Sequence, residues 1–255
     1  EVDIPETSFD VYDLAALAYI YKRIKETDPV REASHVVIDE AQDFGMMAYC
    51  CLHYCLRGCT YTIMGDTSQN IHFRYGLNDW EELRKLVLTG TYDAFGLLRK
   101  SYRNTVEIAS YAANLIGVTD LELFERHGMP VLERDVTDLE AALREAVDTL
   151  FPDEKTYETA AVIVPDAKTA ERAYLILREI LAEKDFDCGR RLSWLNRDSS
   201  SFKKGLTVTT FYLAKGLEFD QVFSIFPKDE KREIMMQAQY IAATRALHEL
   251  RVYHI

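Results

Sequence analysis

The chain has 255 residues, 48% of them hydrophobic and 28% charged, which excludes collagen-like, low-complexity and intrinsically disordered polypeptides and allows one large domain or two modest ones. With 42 acidic against 30 basic residues the formal net charge is −12, arguing against a protein that coats nucleic acid non-specifically but not against a narrow basic groove. No apolar run nears the ~18 residues of a membrane span, no signal-peptide pattern opens the chain, and five cysteines without scaffold spacing suit a reducing cytosol, so a cytoplasmic protein without membrane contact is expected.

In chain order the pattern alternates helix and strand. Residues 10–25 place Leu14, Leu17, Ala18, Tyr21 and Ile24 at helical spacing behind a capping Asp10, and Pro29 marks the exit. His35 to Ile38 is a short apolar run ending in acids, as a buried parallel strand would. Residues 46–56 read as a helix, Thr60 to Met64 as a strand and Asp79 to Leu88 as a helix. Ala94 to Leu98 reads as a strand running into Arg99-Lys100-Ser101-Tyr102-Arg103. Asn104 with Glu107, and Thr137 with Glu140, have the spacing of capping boxes. Then come a strand at Ala160–Val164, a helix over 167–183 and a polar loop, Asp198-Ser199-Ser200-Ser201. Strands Leu206–Thr210 and Gln221–Phe226, a helix over 231–246 and a strand Glu249–Tyr253 complete the series. This alternation predicts α/β architecture with parallel sheets, without internal repeats, and a boundary near residues 88–96.

The segment Val36-Val37-Ile38-Asp39-Glu40-Ala41-Gln42-Asp43 carries the most chemistry. Two carboxylates at a strand's C-terminal end suit nucleotide hydrolysis, one holding Mg²⁺ through oxygen and the other orienting or deprotonating water. An acidic, solvated turn is the plainer account of such a pair alone. It has company in order: Ile63-Met64-Gly65-Asp66-Thr67-Ser68-Gln69-Asn70-Ile71 emerges after the next strand, with an amide able to sense a γ-phosphate. Tyr102-Arg103 offers an aromatic face and a permanent cation, Lys215-Gly216-Leu217-Glu218-Phe219-Asp220 joins a flexible glycine to charge, and Tyr240-Ile241-Ala242-Ala243-Thr244-Arg245-Ala246 places an arginine on a helix otherwise suited to packing.

These segments, in this order, resemble motifs II to VI of the superfamily 1 helicases of the UvrD/Rep type, over residues 36–246. The resemblance implies RecA-like sheets flanked by helices: a partial first motor domain over 1–92, lacking its phosphate loop, and a second over 93–255. It implies ATP and Mg²⁺ in the full-length protein. Asp39 would hold the metal and Glu40 would be the catalytic carboxylate. Gln69 would contact the γ-phosphate, Tyr102 would stack on the base, and Arg103 and Arg245 would reach the γ-phosphate. Gly216 and Glu218 would lie beside the nucleotide, Glu218 near the ribose. ATP lies between the two motor domains in that family, so the carboxylates would face the arginines.

A narrower resemblance, in Ser8-Phe9-Asp10-Val11-Tyr12-Asp13-Leu14, Tyr212 to Asp220 and Thr244 to Leu250, is to the HelD branch, ATPases that bind RNA polymerase and release it from nucleic acid. Three departures accompany it. No Gly-Lys dipeptide occurs, so the phosphate loop is expected in an upstream part of the same polypeptide, of which this chain, opening without Met, would be a piece. Tyr212 stands where DNA-tracking members usually carry His. The interval from Arg103 to Lys215 is too short for the large insertion typical of UvrD-type enzymes. The expected partners are therefore DNA, RNA polymerase or both. A non-catalytic RecA-like interaction module that has lost ATP turnover stays open beside them.

Other signals have plainer readings. Cys51, Cys55 and Cys59 recur every four residues, so with Cys50 and His53 they suit thiols packed against a sheet better than a zinc or iron–sulfur site. His35 reads as structural; Phe44, Tyr49, Tyr54 and Tyr61 read as core. The mixed-sign run Lys228–Arg232 reads as a solvated loop, while Arg190-Arg191 and Lys203-Lys204 suit phosphate contacts and plain surface equally well.

Overall fold

A computed structural model describes residues 9–25, 28, 30, 33–72, 75–98, 100–119, 122–150, 157–183, 192–197, 199, 204–228 and 233–255. Pro29, Arg99, Arg190, Arg191, Lys203 and residues 229–232 lie outside these, as do Asp198, Ser200 and Ser201 of the polar loop. The chain divides into two compact units, Glu1–Leu97 and Leu98–Ile255.

In the first unit, helix α1 (Val11–Ile24) starts at Asp10, whose carboxylate accepts from the N–H groups of Tyr12 and Asp13 at 2.8 Å while the Asp13 side chain accepts from the Asp10 N–H. This reciprocal cap satisfies orphan donors of the first turn. Strands β1 (His35–Ile38) and β2 (Thr60–Ile63) pair in parallel with His35 opposite Thr60 and Ile38 opposite Ile63. Helix α2 (Met46–Cys55) lies between them in sequence, and α3 (Glu81–Val87) follows. Ile38, Ala41, Tyr49, Leu77 and Leu83 form the core, flanked by Val36, Tyr61 and Ile63.

The apolar spacing of α1 marks a helix but not a buried face. Leu14, Leu17, Ile20 and Tyr21 are exposed and Ile24 is 71% exposed. Phe44, expected in the core, is also exposed, whereas Tyr49 is buried with its hydroxyl donating to Ala41 O at 2.6 Å. His35 is exposed and bridges Thr60 Oγ1 at 2.6 Å and Thr62 Oγ1 at 3.0 Å, a structural tie.

The second unit carries a six-stranded, wholly parallel sheet flanked by helices, the arrangement expected of a RecA-like unit. Its strands are β5 (Leu132–Asp135), β6 (Thr159–Val164), β7 (Leu192–Trp194), β8 (Gly205–Thr210), β9 (Phe219–Phe226) and β10 (Ala246–His254), in the order β5-β10-β9-β6-β8-β7. Strand β8 is buried throughout, and β6 and β9 nearly so; β6 reads as a near-continuous apolar run, whereas β8 buries Thr207, Thr209 and Thr210 and β9 buries Gln221 and Ser224 among their apolar residues. The helices are α4 (Val106–Ile116), α5 (Leu139–Asp148), α6 (Ala167–Glu183) and α7 (Glu233–Thr244). Helix α6 buries Ala170, Ala173, Leu177, Ile180 and Leu181 at helical period. A separate parallel pair joins β3 (Lys100–Ser101) to β4 (Glu122–Leu123).

Several boundaries differ from expectation. Ala94 to Leu98 is not a strand: Leu97 and Leu98 are exposed, and the extended stretch is the shorter β3. Both expected caps move by one residue. Thr105, not Asn104, caps α4 through Ile108 N, and Asp138, not Thr137, caps α5 through Ala141 N at 2.9 Å. Strands β4, β5 and β7 are too short and polar to announce themselves, and β10 runs longer than Glu249–Tyr253, with an irregularity between Ala246 and Glu249.

Candidate nucleotide site

In the first unit the parallel register brings the ends of β1 and β2 to one edge, so Asp39-Glu40 and Gly65-Asp66 emerge side by side. The loops are tied by Met64 N to Ile38 O at 2.8 Å and Ala41 N to Met64 O at 2.9 Å. Glu40 sits in the left-handed region (φ 50°, ψ 41°) and is the one described non-glycine residue that does so. The glutamate Cβ makes that region costlier than it is for glycine, so the surrounding bonds must hold it. Its N–H donates to Asp39 Oδ1 at 2.8 Å, and its Oε2 accepts from Gln42 Nε2 at 2.6 Å.

Gln42 is 0% exposed, and its other end, Oε1, accepts from Asp66 N at 2.9 Å. Gly65 allows this approach, since a Cβ there would sit 2.4 Å from Gln42 Oε1. Asp66 then accepts from Ser68 N at 3.0 Å and from Gln69 Nε2 at 2.9 Å, which turns the short 3₁₀ segment Thr67–Gln69. Buried Asn70 donates to Asn78 Oδ1 at 2.8 Å and accepts from His72 N. Asp39, Glu40 and Gln69 thus belong to one hydrogen-bonded edge. Asp39 is an exposed carboxylate there; such hard oxygens suit Mg²⁺, which takes one or two carboxylates and completes its shell with phosphate and water.

In the second unit Arg103 pairs with Glu218, and Arg245 is held beside the preceding residue, Leu217. Arg103 Nε lies 2.6 Å from Glu218 Oε1, with both side chains half-exposed. Arg245 is 1% exposed, and its guanidinium donates to Leu217 O at 3.4 Å and Thr244 Oγ1 at 3.1 Å. Its carbonyl accepts from Phe219 N at 2.9 Å. Gly216 has φ 79°, a turn conformation that favours glycine, and lets the chain pass from Tyr212 to Glu218 before β9 begins. Tyr102 is exposed, with its ring tilted against Phe124 at 5.4 Å.

Buried Asn104 holds these segments together. Its Nδ2 donates to Thr244 O at 3.2 Å and Ala246 O at 2.7 Å, the carbonyls on either side of Arg245. Arg126 adds a bond to Arg103 O at 2.8 Å and one to Leu247 O. Sequence reasoning missed Gln42, Asn104 and Arg126. Gln42 lies within the acidic segment with no chemical signal of its own, and the spacing of Asn104 to Glu107 is that of a cap. Glu107 instead accepts from His127 Nδ1 and Gly128 N, both at 2.9 Å, which draws its carboxyl down to about 2.

The cysteine stripe is half-buried on and after α2. Cys51 and Cys55 sulfurs lie 3.9 Å apart, Cys59 donates to Ala33 O, and burial with Cys55 nearby pushes the Cys51 thiol up to about 11. Among the described residues no three metal-ligating side chains converge, and no helix is long and apolar enough to cross a membrane.

No family model matches the chain, and no curated protein matches it. Solved structures do. The C-terminal domain of a possible DNA helicase from Lactobacillus plantarum WCFS1 is 25% identical, with 61% of this chain and 88% of that one covered and a TM-score of 0.47. The helicase of PRRSV is 16% identical over 89% of this chain and 36% of its own, with a TM-score of 0.48. The arterivirus nonstructural protein 10 helicase, solved with DNA, is 15% identical over 89% of this chain and 41% of its own, with a TM-score of 0.43.

Proposed function

We propose that the chain is part of an ATP-hydrolysing motor of the UvrD/Rep helicase type that acts on DNA. The observation that carries this reading is the edge in the first unit, where Glu40, held in a left-handed turn, joins through Gln42 to the segment bearing Gln69. On this reading bound Mg²⁺–ATP supplies the transferable phosphoryl group and a neutralising cation. Asp39 offers a carboxylate to the metal. Glu40 accepts a hydrogen bond from water and orients it, and Gln69 donates its amide to a phosphate oxygen. Arg103 and Arg245 supply planar, permanent cations suited to charge spreading over phosphoryl oxygens, and Glu218 accepts from the sugar hydroxyls while Gly216 lets the backbone pass close. Tyr102 offers an exposed ring for a base.

The narrower form of the reading is HelD-like release of RNA polymerase, supported by Tyr212 and the short Arg103–Lys215 interval. A second reading, a non-catalytic interaction module, is favoured by the engagement of both arginines, Arg103 by Glu218 and Arg245 by buried backbone. The test is ATP turnover by the full-length polypeptide, with and without DNA or RNA polymerase. Glu40→Gln should abolish turnover while ATP still binds, because an amide keeps the shape but is no base. Arg245→Ala should lower turnover by something like ~10³-fold. Near-normal turnover in Glu40→Gln would overturn the site, and a parent without turnover would favour the module. The 255-residue chain alone should show negligible ATPase activity.

A further inference from the structure

We propose that Gln42 is a positioning residue, a buried amide relay that makes the hydrogen-bonding state of Glu40 felt at Asp66 and so at Gln69. The proposal rests on the reading of Glu40 and Gln69 given above for its consequence in turnover, but not for the relay itself.

The argument starts from what an amide can do. Its two ends are chemically opposite: Oε1 only accepts and Nε2 only donates. The neighbours of Gln42 fix which end faces which. Asp66 offers a backbone N–H, a pure donor, 2.9 Å from Oε1, and Glu40 offers a carboxylate, a pure acceptor when ionised, 2.6 Å from Nε2. With Gln42 wholly buried, turning the amide over would set donor against donor at Asp66 and acceptor against acceptor at Glu40. The orientation is therefore dictated jointly by the two partners, and a change at one is transmitted to the other.

Three further features make the relay stiff. The Gln42 backbone carbonyl accepts from Leu77 N at 2.9 Å, which anchors the residue in the core. The missing Cβ of Gly65 admits Oε1, and the absence of a Cβ at Gly76 leaves space beside the Gln42 carbonyl, where one would lie 2.4 Å away. Beyond Asp66 N the path continues within the same residue, because its Oδ2 accepts from Gln69 Nε2 at 2.9 Å. An amide charged with sensing phosphate and a carboxylate charged with orienting water are thereby linked by side chains of one unit.

The experiment reads hydrogen exchange at the Asp66 amide in the full-length protein, for the parent, Glu40→Gln and Glu40→Lys. Glutamine at 40 can still present an acceptor to Nε2, so exchange should stay at the parent rate. Lysine presents only donors, Gln42 must turn over, and Asp66 N–H loses its acceptor; exchange should rise roughly tenfold. Equal, parent-like exchange in both variants would overturn the relay. Should the lysine variant not fold, Glu40→Met removes the acceptor without adding charge, and a rise of about threefold is expected where no rise would overturn it. Turnover supplies the second arm. Gln42→Leu should lower kcat by roughly tenfold or more with the KM for ATP within about twofold of the parent, since position rather than binding is lost. An unchanged kcat, or a KM that rises in proportion, would refute the positioning role. A parent that turns over no ATP but shows the expected exchange pattern refutes the proposed function and upholds the relay.

Discussion

The two units use the same grammar of parallel strands and helices with different degrees of closure. In the second, β6, β8 and β9 lie inside a six-stranded sheet, and Val162, Val208 and Phe223 are wholly buried. In the first, two strands alternate exposed and inner residues, Val37 is 62% exposed, and α1 shows an apolar stripe to solvent. A parallel sheet is ordinarily covered on both faces. The second unit therefore stabilises its loops by a deep core, whereas the first relies on a polar network of Gln42, Asp66, Asn70 and the Tyr49 hydroxyl. The candidate chemistry follows the same division: side-chain relays in the first unit, and backbone carbonyls gripped by Asn104 and Arg126 in the second.

The largest effect that separates the units is in the core. Phe223→Ala should destabilise the second unit by about 3–5 kcal/mol, because a wholly buried ring leaves a cavity. Val37→Ala in the first should cost less than about 0.5 kcal/mol. Denaturant unfolding of the two variants checks this, and equal losses would erase the contrast. Next in size is Asn104→Asp. The amide that now donates to Thr244 O and Ala246 O becomes a carboxylate facing two carbonyl oxygens. About 2–3 kcal/mol should be lost, with Arg245 displaced. Asn104→Asp that unfolds like the parent would show that the grip is incidental.

A third, smaller effect has a pH signature. Glu107 is held near 2, below its ordinary 4.5, first by His127 and then by the Gly128 N–H. A carboxyl lowered on folding contributes stability above its unfolded value, and that contribution fades as pH falls from about 4.5 toward 2. Glu107→Gln should cost about 1 kcal/mol at neutral pH, a figure reduced for the exposure of His127. The gap between variant and parent should close over that acid range. A gap independent of pH would mean packing, not charge, is at work.

How much of this could be read beforehand depended on which interaction fixed each feature. Strand β6 was legible because burial on both faces forces a near-unbroken apolar run, β8 and β9 because β-branched and aromatic residues dominate them, and helix α6 because its buried residues repeat at helical period. Glu40, Gln69, Arg103, Glu218 and Arg245 stand out through motif spacing, which reports their order along the chain and not the bonds that hold them. Asn104 was not legible, since its partners lie 140 and 142 residues away and a local capping pattern competed for it. Strand β5 was not, because Glu133, Arg134 and Asp135 give no apolar signal at an edge. The α1 stripe misled in the other direction: periodicity reports the helix and a face, but not whether anything lies against that face.

The smallest expected effect probes that stripe. Ile24 is 71% exposed near the C-terminus of α1, and Leu14, Leu17 and Tyr21 continue the same face. The opposite face of α1 bears Tyr19, which meets the Tyr54 ring edge-on at 5.2 Å, so the helix is already docked on α2 through other residues. Ile24→Lys therefore removes little buried area. It loses a small share of side-chain transfer energy and a slight helix propensity difference, and it gains a cation in the last turn, where the helix dipole favours one. These terms oppose each other, and the net change in the 255-residue chain should fall within about 0.5 kcal/mol. The same substitution in the full-length polypeptide sharpens the comparison between units. A cost that stays below about 0.5 kcal/mol there means the stripe is solvated in the working protein. A cost of about 2 kcal/mol or more means an apolar partner surface covers it, as the helices cover the sheet of the second unit.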